Sequence, residues 1–182
     1  YTRDNDVVAM CEDKVVKILS AGKNALFEAD GNFQLISSSA VLGQTIPYQG
    51  DFGCQHPESF AQDQYRIYFV DKARGAVVRL SRDGLTSISD VGMNDWFNDQ
   101  LINSQSIVGS FDGKKQEYNI TLHEVTHPNF KKNVYTLSYS EVNGGWVSFK
   151  SFIPEQGESL NNKYYTFKQG KIYLHHPEDD LG

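Results

Sequence analysis

The chain has 182 residues, enough for one well-buried domain or two small ones, and its 39% hydrophobic and 22% charged content is that of a folded globular protein. Its net charge of −6, with no basic cluster longer than the pairs Lys114–Lys115 and Lys131–Lys132, argues against a nucleic-acid-binding domain, which needs a basic face to displace counterions. Ten Tyr, eleven Phe and two Trp against five Pro and two Met favour pleated, half-buried surfaces and hence an all-β fold.

In chain order, short β-rich runs alternate with turn signals. Val15–Ser20 leads through Ala21–Asn24 into Ala25–Ala29, and Asp30-Gly31-Asn32 turns the chain into Phe33–Ser38. Asp-Gly between apolar runs is a strong hairpin signal, because glycine supplies the positive φ of a tight turn. Arg66–Asp71 and Ala76–Ser81 flank Lys72-Ala-Arg-Gly75, and Ser81-Arg-Asp-Gly84 turns into Leu85–Ser89. Met93–Asn103 is the one credible helix: Asn94 or Asp95 can cap its first turn, and Phe97 and Leu101 share a face.

The second half repeats the idiom. Ile107–Phe111 and Glu117–Glu124 flank a turn at Asp112-Gly113, Val134–Glu141 and Gly145–Phe152 flank Val142-Asn143-Gly144, and Lys163–Phe167 and Lys171–His175 flank Lys168-Gln-Gly170. Equivalent strands start near Ala25, Ile67, Glu117 and Lys163, separations of 42, 50 and 46 residues. LFEADGNFQLIS (26–37) and IYFVDKARGAVVRLS (67–81) share an apolar strand ending in an acid, a glycine turn, and a strand closing on Leu/Ile-Ser. A loose period of this size is what β-propeller blades give. The expected organisation is therefore residues 1–182 as a fragment of one larger propeller-like domain, with modules at 15–60, 65–105, 106–155 and 160–182. The start at Tyr-Thr-Arg, without an initiator Met, adds to the expectation of an excised segment.

No residue set carries catalysis or a metal. His175 and His176 precede Glu178, Asp179 and Asp180, but neighbours on a strand point to opposite faces and cannot easily share an ion, so a solvated polar tail is expected. His123 and His127 fall in a loop rather than on a helix, and Asp4-Asn5-Asp6 lacks the rest of a calcium loop. Arg66, Arg74, Arg79 and Arg82 are close in sequence, as an anionic-sugar site would need, but they fall on a strand and on separate turns. Glu141 and Glu155 bracket an aromatic hairpin with nothing to pair them. The chain is read as a non-enzyme without cofactor. Cys11 and Cys54 are too few for a disulfide-built secreted scaffold and read as ordinary reduced thiols, with their disulfide state left open.

Trp96, Phe97, Tyr139, Trp146, Phe149 and Phe152 are the expected structural aromatic core, with Gly31, Gly75, Gly84, Gly113, Gly144 and Gly170 the turn glycines. Regular alternation would put Trp146, Ser148 and Lys150 on one face and Val147, Phe149 and Ser151 on the other. Trp146 and Phe149 are then both buried, as in a sheet sandwiched between neighbours. No window approaches the length of a membrane span.

The stretch YRIYFVDKARGAVVRLSRDGLTSISDVGMNDWFNDQL (65–101), and the pairing of EYNITL (117–122) with TLSYSEVNGGWVSFKSFIPE (136–155), resemble segments of tail nozzle or muzzle proteins of short-tailed and crAss-like phages. The resemblance implies a virion tail component assembled in the bacterial cytoplasm. It also implies a homo-oligomeric ring of six-fold symmetry around the DNA exit channel, in contact with other tail proteins and passing DNA without specific binding. The alternative is a carbohydrate-binding or carbohydrate-cleaving propeller serving receptor recognition.

Overall fold

A computed structural model describes residues 2–3, 6–20, 22–27, 33–37, 39–126 and 132–177. The turn at Gly31, the second histidine of the His123/His127 pair, the start of the Asp4-Asn5-Asp6 run and the acids Glu178, Asp179 and Asp180 lie outside them. The fold is mostly β, built of several antiparallel sheets with no closed barrel, and more than half of the described residues are in strands.

The chain divides into two compact units, residues 1–54 and 55–182. In the first, β1 (Thr2–Arg3), β2 (Asp6–Met10), β3 (Val15–Ser20) and β6 (Leu42–Pro47) make one sheet in that order, while β4 (Lys23–Phe27) and β5 (Phe33–Ser37) form a separate hairpin. The expected run from Val15–Ser20 into the next strand thus changes sheets instead of folding back on itself. Buried Asp6 helps fix this arrangement. It accepts the backbone N–H of Ser20, the last residue of β3, at 2.9 Å and pairs with Lys17 of the same strand at 2.9 Å. Burial alone would raise the Asp6 carboxyl, but these bonds outweigh it and hold the group below its usual range. Beyond β6 the chain continues alongside β3, until the Cys54 N–H donates to the Cys11 carbonyl at 2.8 Å. No disulfide joins the two cysteines.

The second unit contains three consecutive meanders. A one-turn 3-10 helix at Pro57–Ser59 precedes the sheet of β7 (Ala61–Gln62), β8 (Ile67–Asp71), β9 (Ala76–Ser81) and β10 (Gly84–Ser87). Helix α1 (Asn94–Asn103) follows, then the sheet of β11 (Ser106–Asp112), β12 (Glu117–Thr126), β13 (Lys132–Ser140) and β14 (Gly145–Lys150). The last sheet holds β15 (Gln156–Leu160), β16 (Lys163–Lys168) and β17 (Lys171–His175). Within this unit the leading strands β7, β11 and β15 lie side by side, β11 against each of the others. Glycine permits this closeness. A Cβ at Gly109 would collide with the Ser59 carbonyl just ahead of β7, and one at Gly157 would stand 2.9 Å from Ser110 Oγ on β11.

Both faces of the β8–β9 pair are buried: Tyr68, Val70 and Val77 on one, Ile67, Phe69, Val78 and Leu80 on the other. The first set joins the main core with Phe97, Leu101, Ile107, Phe111, Tyr118, Ile120, Leu122, Leu137 and Tyr139. The opposite face of β11–β13 is buried but hydroxylated, and it meets the last sheet. Thr121 and Thr136 share a hydrogen bond at 3.0 Å, Ser138 donates to Asn119, and Ser110 bonds the Tyr164 hydroxyl at 2.7 Å. Apolar burial and satisfied polar pairs thus hold the two sides of one sheet.

Helix α1 lies where the sequence predicts it, with Phe97 and Leu101 fully buried, but Met93 occupies the N-cap and no side chain caps the turn. Gly75, Gly84, Gly144 and Gly170 have φ between +62° and +95°. Gly113 does not, and the positive φ of its turn falls on Gln116 at +56°. There Asp112 instead accepts the Lys114 and Lys115 N–H groups, and the Gly113 N–H donates to Ser159.

Candidate functional site

The expected alternation along β14 fails at Val147. Tyr139 faces Trp146 and Ser138 faces Ser148, so Val147 is a bulge residue with no partner in the ladder. The extra residue flips the register, and Trp146 and Phe149 emerge on the same side, with Leu137 and Tyr139. There they meet α1. Phe97 lies 4.5 Å from Trp146, and Trp96 makes edge contacts with Phe97, Tyr135 and Phe149 at 5.0–5.6 Å. The indole N–H of Trp146 donates to the Ile88 carbonyl at 3.0 Å, which fixes the ring. Phe97 and Tyr139 are buried and Trp96 and Trp146 half-buried, but Phe149 is 58% exposed at the rim, contrary to its expected burial. β14 is an edge strand, and among the described residues no further strand pairs beyond it.

Phe152 belongs elsewhere. Half-buried, it packs 4.3 Å from His175, whose ring also lies 5.2 Å from Tyr164 and bonds Thr166 at 2.7 Å. His175 is therefore a packed side chain and not part of a solvated tail. Burial, together with the nearby His176, pushes its pKa down. His176 stands 3.7 Å from Asp112. His123 sits on β12 at a bulge, where it donates to the Pro154 carbonyl at 3.1 Å, and not in the expected loop. Among the described residues no group of three His, Cys, Asp or Glu side chains converges as a metal site would require.

The arginines of the β7–β10 sheet behave differently from their sequence reading. Arg66, Arg79 and Arg82 converge on one hollow of about 490 Å³, lined also by Tyr65, Ser81 and Asp83. Arg74 stays apart, paired with buried Asp71 at 2.8 Å. The hollow is organised from behind by Glu141 at the end of β13. Its carboxylate, 8% exposed, accepts Arg79 Nη1 at 3.0 and 3.2 Å and the Tyr68 hydroxyl at 2.8 Å, and pairs with Arg66 Nε at 3.4 Å. Asp63 completes the frame. One of its oxygens accepts the Tyr65 and Arg66 backbone N–H groups, both at 2.6 Å, and the other takes Arg66 Nη1 at 2.9 Å.

The electrostatics follow from this geometry. Burial alone would lower the Arg66 pKa, but the Asp63 bond and the Glu141 charge outweigh it and raise the value. Burial and the Glu141 contact push the Tyr68 phenol far above its usual range. Two guanidinium groups are thus held in place by two carboxylates, as a charge-assisted frame. Arg79 Nε is buried with no acceptor, and Arg82 at the rim has no ion-pair partner among the described residues. The sequence offered only the nearness of the arginines. Glu141, 62 residues from Arg79, had no local signal linking it to them.

Glu155 is remote from this frame and accepts the Gln169 N–H at 3.1 Å, so the two bracketing glutamates do not act together. No helix among the described residues is long and apolar enough to cross a membrane.

No curated protein matches the chain. A family model described as Crassvirus muzzle protein matches residues 42–170, a span running from β6 to the turn before β17 that contains the arginine hollow, helix α1 and the aromatic cluster. Sheets, helix and matched span together make this chain a member of the Crassvirus muzzle protein family, a structural component of the phage tail.

Proposed function

We propose that this chain is a scaffold segment of the tail: a run of propeller blades set in a homo-oligomeric, six-fold ring around the DNA exit channel, contributing shape and subunit contact without catalysis. The observation that carries the reading is the outer face of the last sheet. Register places Leu160, Tyr165, Phe167, Ile172 and Leu174 on the same side of β15–β17, and all but half-buried Tyr165 are 37–66% exposed. The other side of the sheet carries buried Tyr164 and Thr166 and packs on β11. A sheet with two apolar-bearing faces and one of them open is suited to a further sheet stacked upon it.

Two features support the blade reading within residues 55–182. Each sheet is a simple meander, and the leading strands β7, β11 and β15 adjoin, as innermost strands do around a propeller axis. The modules would then be 15–60, 65–105, 106–155 and 160–182. Closing such units head to tail into a ring covers the open face of every member. The net charge of −6 suits a channel wall that lets DNA slide past, since it offers no counterion-release gain. Assembly in the host cytoplasm and contact with other tail proteins belong to the same proposal.

Mass photometry of the full-length protein tests it. A closed ring is expected, and Ile172→Glu with Leu174→Glu should reduce it to protomers while the melting temperature of the isolated chain holds. A strictly monomeric full-length protein, or an unimpaired ring in the double variant, would overturn the proposal. Turnover assays on a glycan panel with added divalent metals should show no product.

A further inference from the structure

We propose that the arginine hollow framed by the β7–β8 turn, β9 and the β9–β10 turn binds a carboxylate-bearing saccharide. The proposal does not depend on the ring. It rests on how the charges in the hollow are divided between those already paired and those left available.

Arg66 and Arg79 are locked from behind by Asp63 and Glu141, so their remaining N–H groups are fixed in direction. Preorganised donors of this kind gain affinity because little motion is lost on binding. Arg82 and Asp83 occupy the two-residue turn between Ser81 and Gly84, which pair directly across it, and both are exposed. The Asp83 N–H donates to Ser81 Oγ at 3.3 Å, which steadies this turn. Counted together, the guanidinium groups of Arg66, Arg79 and Arg82 are balanced by Asp63, Glu141 and Asp83. A strongly anionic polymer gains little from such a balance.

What the hollow does offer is a set of separate, complementary groups. Arg82, exposed and without an ion pair among the described residues, presents a planar fork of donors, which matches one carboxylate in two-point geometry. Asp83 presents an acceptor suited to a sugar hydroxyl. Tyr65 is 57% exposed and its backbone is pinned by Asp63, so its ring stands at the mouth as a flat surface for the apolar face of a pyranose. One carboxylate, several hydroxyls and a stacking face describe a uronic-acid unit. The hollow of about 490 Å³ accommodates a small oligosaccharide.

Isothermal titration of the chain with trigalacturonate, galactotriose and inorganic phosphate tests the assignment. Trigalacturonate should bind saturably, with galactotriose weaker by about tenfold or more. Arg82→Ala and Tyr65→Ala should each lower affinity by a comparable factor without moving the melting temperature, since both side chains are exposed. Arg82→Lys should recover only part, because a lysine cannot form the two-point contact. Equal affinity for the neutral sugar, unchanged binding by Arg82→Ala, or no saturable binding up to about 10 mM would overturn the proposal. Displacement of trigalacturonate by equimolar phosphate would show a bare anion site and overturn it equally.

Discussion

At the scale of single residues, burial separates aromatic positions that look alike in sequence. Phe97 and Phe149 both touch the Trp96 ring or its neighbours, but Phe97 is fully buried and Phe149 is 58% exposed. Phe97→Ala should cost about 3–5 kcal/mol, because it leaves a cavity between α1 and the sheet, whereas Phe149→Ala should cost about 1 kcal/mol. Urea unfolding of the two variants checks the ranking, and similar midpoints would refute it. The aromatic residues themselves were legible from their density in GWVSFKSF and MNDWFND. Their degree of burial was not, since it depends on β14 being an edge.

At the scale of elements, turn chemistry made most hairpins readable. Ala76–Ser81, Lys171–His175 and the helix lie within a residue of their expected bounds. Strands lacking that signal escaped. Leu42–Pro47 carries a Gly and a Pro, Gln156–Leu160 is polar, and Asp6–Met10 is not framed by a glycine turn. The bulge at Val147 was equally silent, because a bulge is defined by the partner strand. It leads to an unusual expectation. Deleting Val147 places Trp146 and Ser148 in consecutive register opposite Tyr139 and Ser138, keeping Trp146 and Phe149 on their present face. The deletion should therefore fold, at a cost of about 1 kcal/mol from lost local twist. Calorimetry of the deletion variant checks this, and failure to fold would mean that the bulge is needed for more than register. The arginine frame could not be read locally either, because its organising carboxylate comes from a different sheet.

At the scale of the whole molecule, the two units should respond to acid at different pH. His56 and His175, both in residues 55–182, have pKa values pushed below the ordinary 6.5 chiefly by burial; around His175 stand His176, Asp112, Lys115 and Lys150. A histidine that is harder to protonate when folded gives full stability above about pH 6.5, and that stability is lost as pH falls below it. In residues 1–54 the lowered carboxyl of Asp6 contributes stability above its ordinary 3.8, and that contribution is lost only below. Hydrogen exchange followed from pH 7 to pH 5 should show protection declining first in residues 55–182. His175→Phe should blunt the decline, and a first loss in residues 1–54 would contradict the assignment.

The two faces of the β11–β14 sheet also differ in how they would yield under load. The face toward α1 is held mainly by apolar contacts, which lack direction, so layers can slip by a small amount and keep most of their attraction. The face toward β15–β17 is held through Ser110, Tyr164, Phe111 and Ser159, whose hydrogen bonds weaken steeply with angle and distance. Sheared along the strands, the first interface behaves as a viscous joint and the second as a brittle one. Within a structural component of a phage tail, one side of this sheet would absorb deformation while the other keeps its alignment until it breaks.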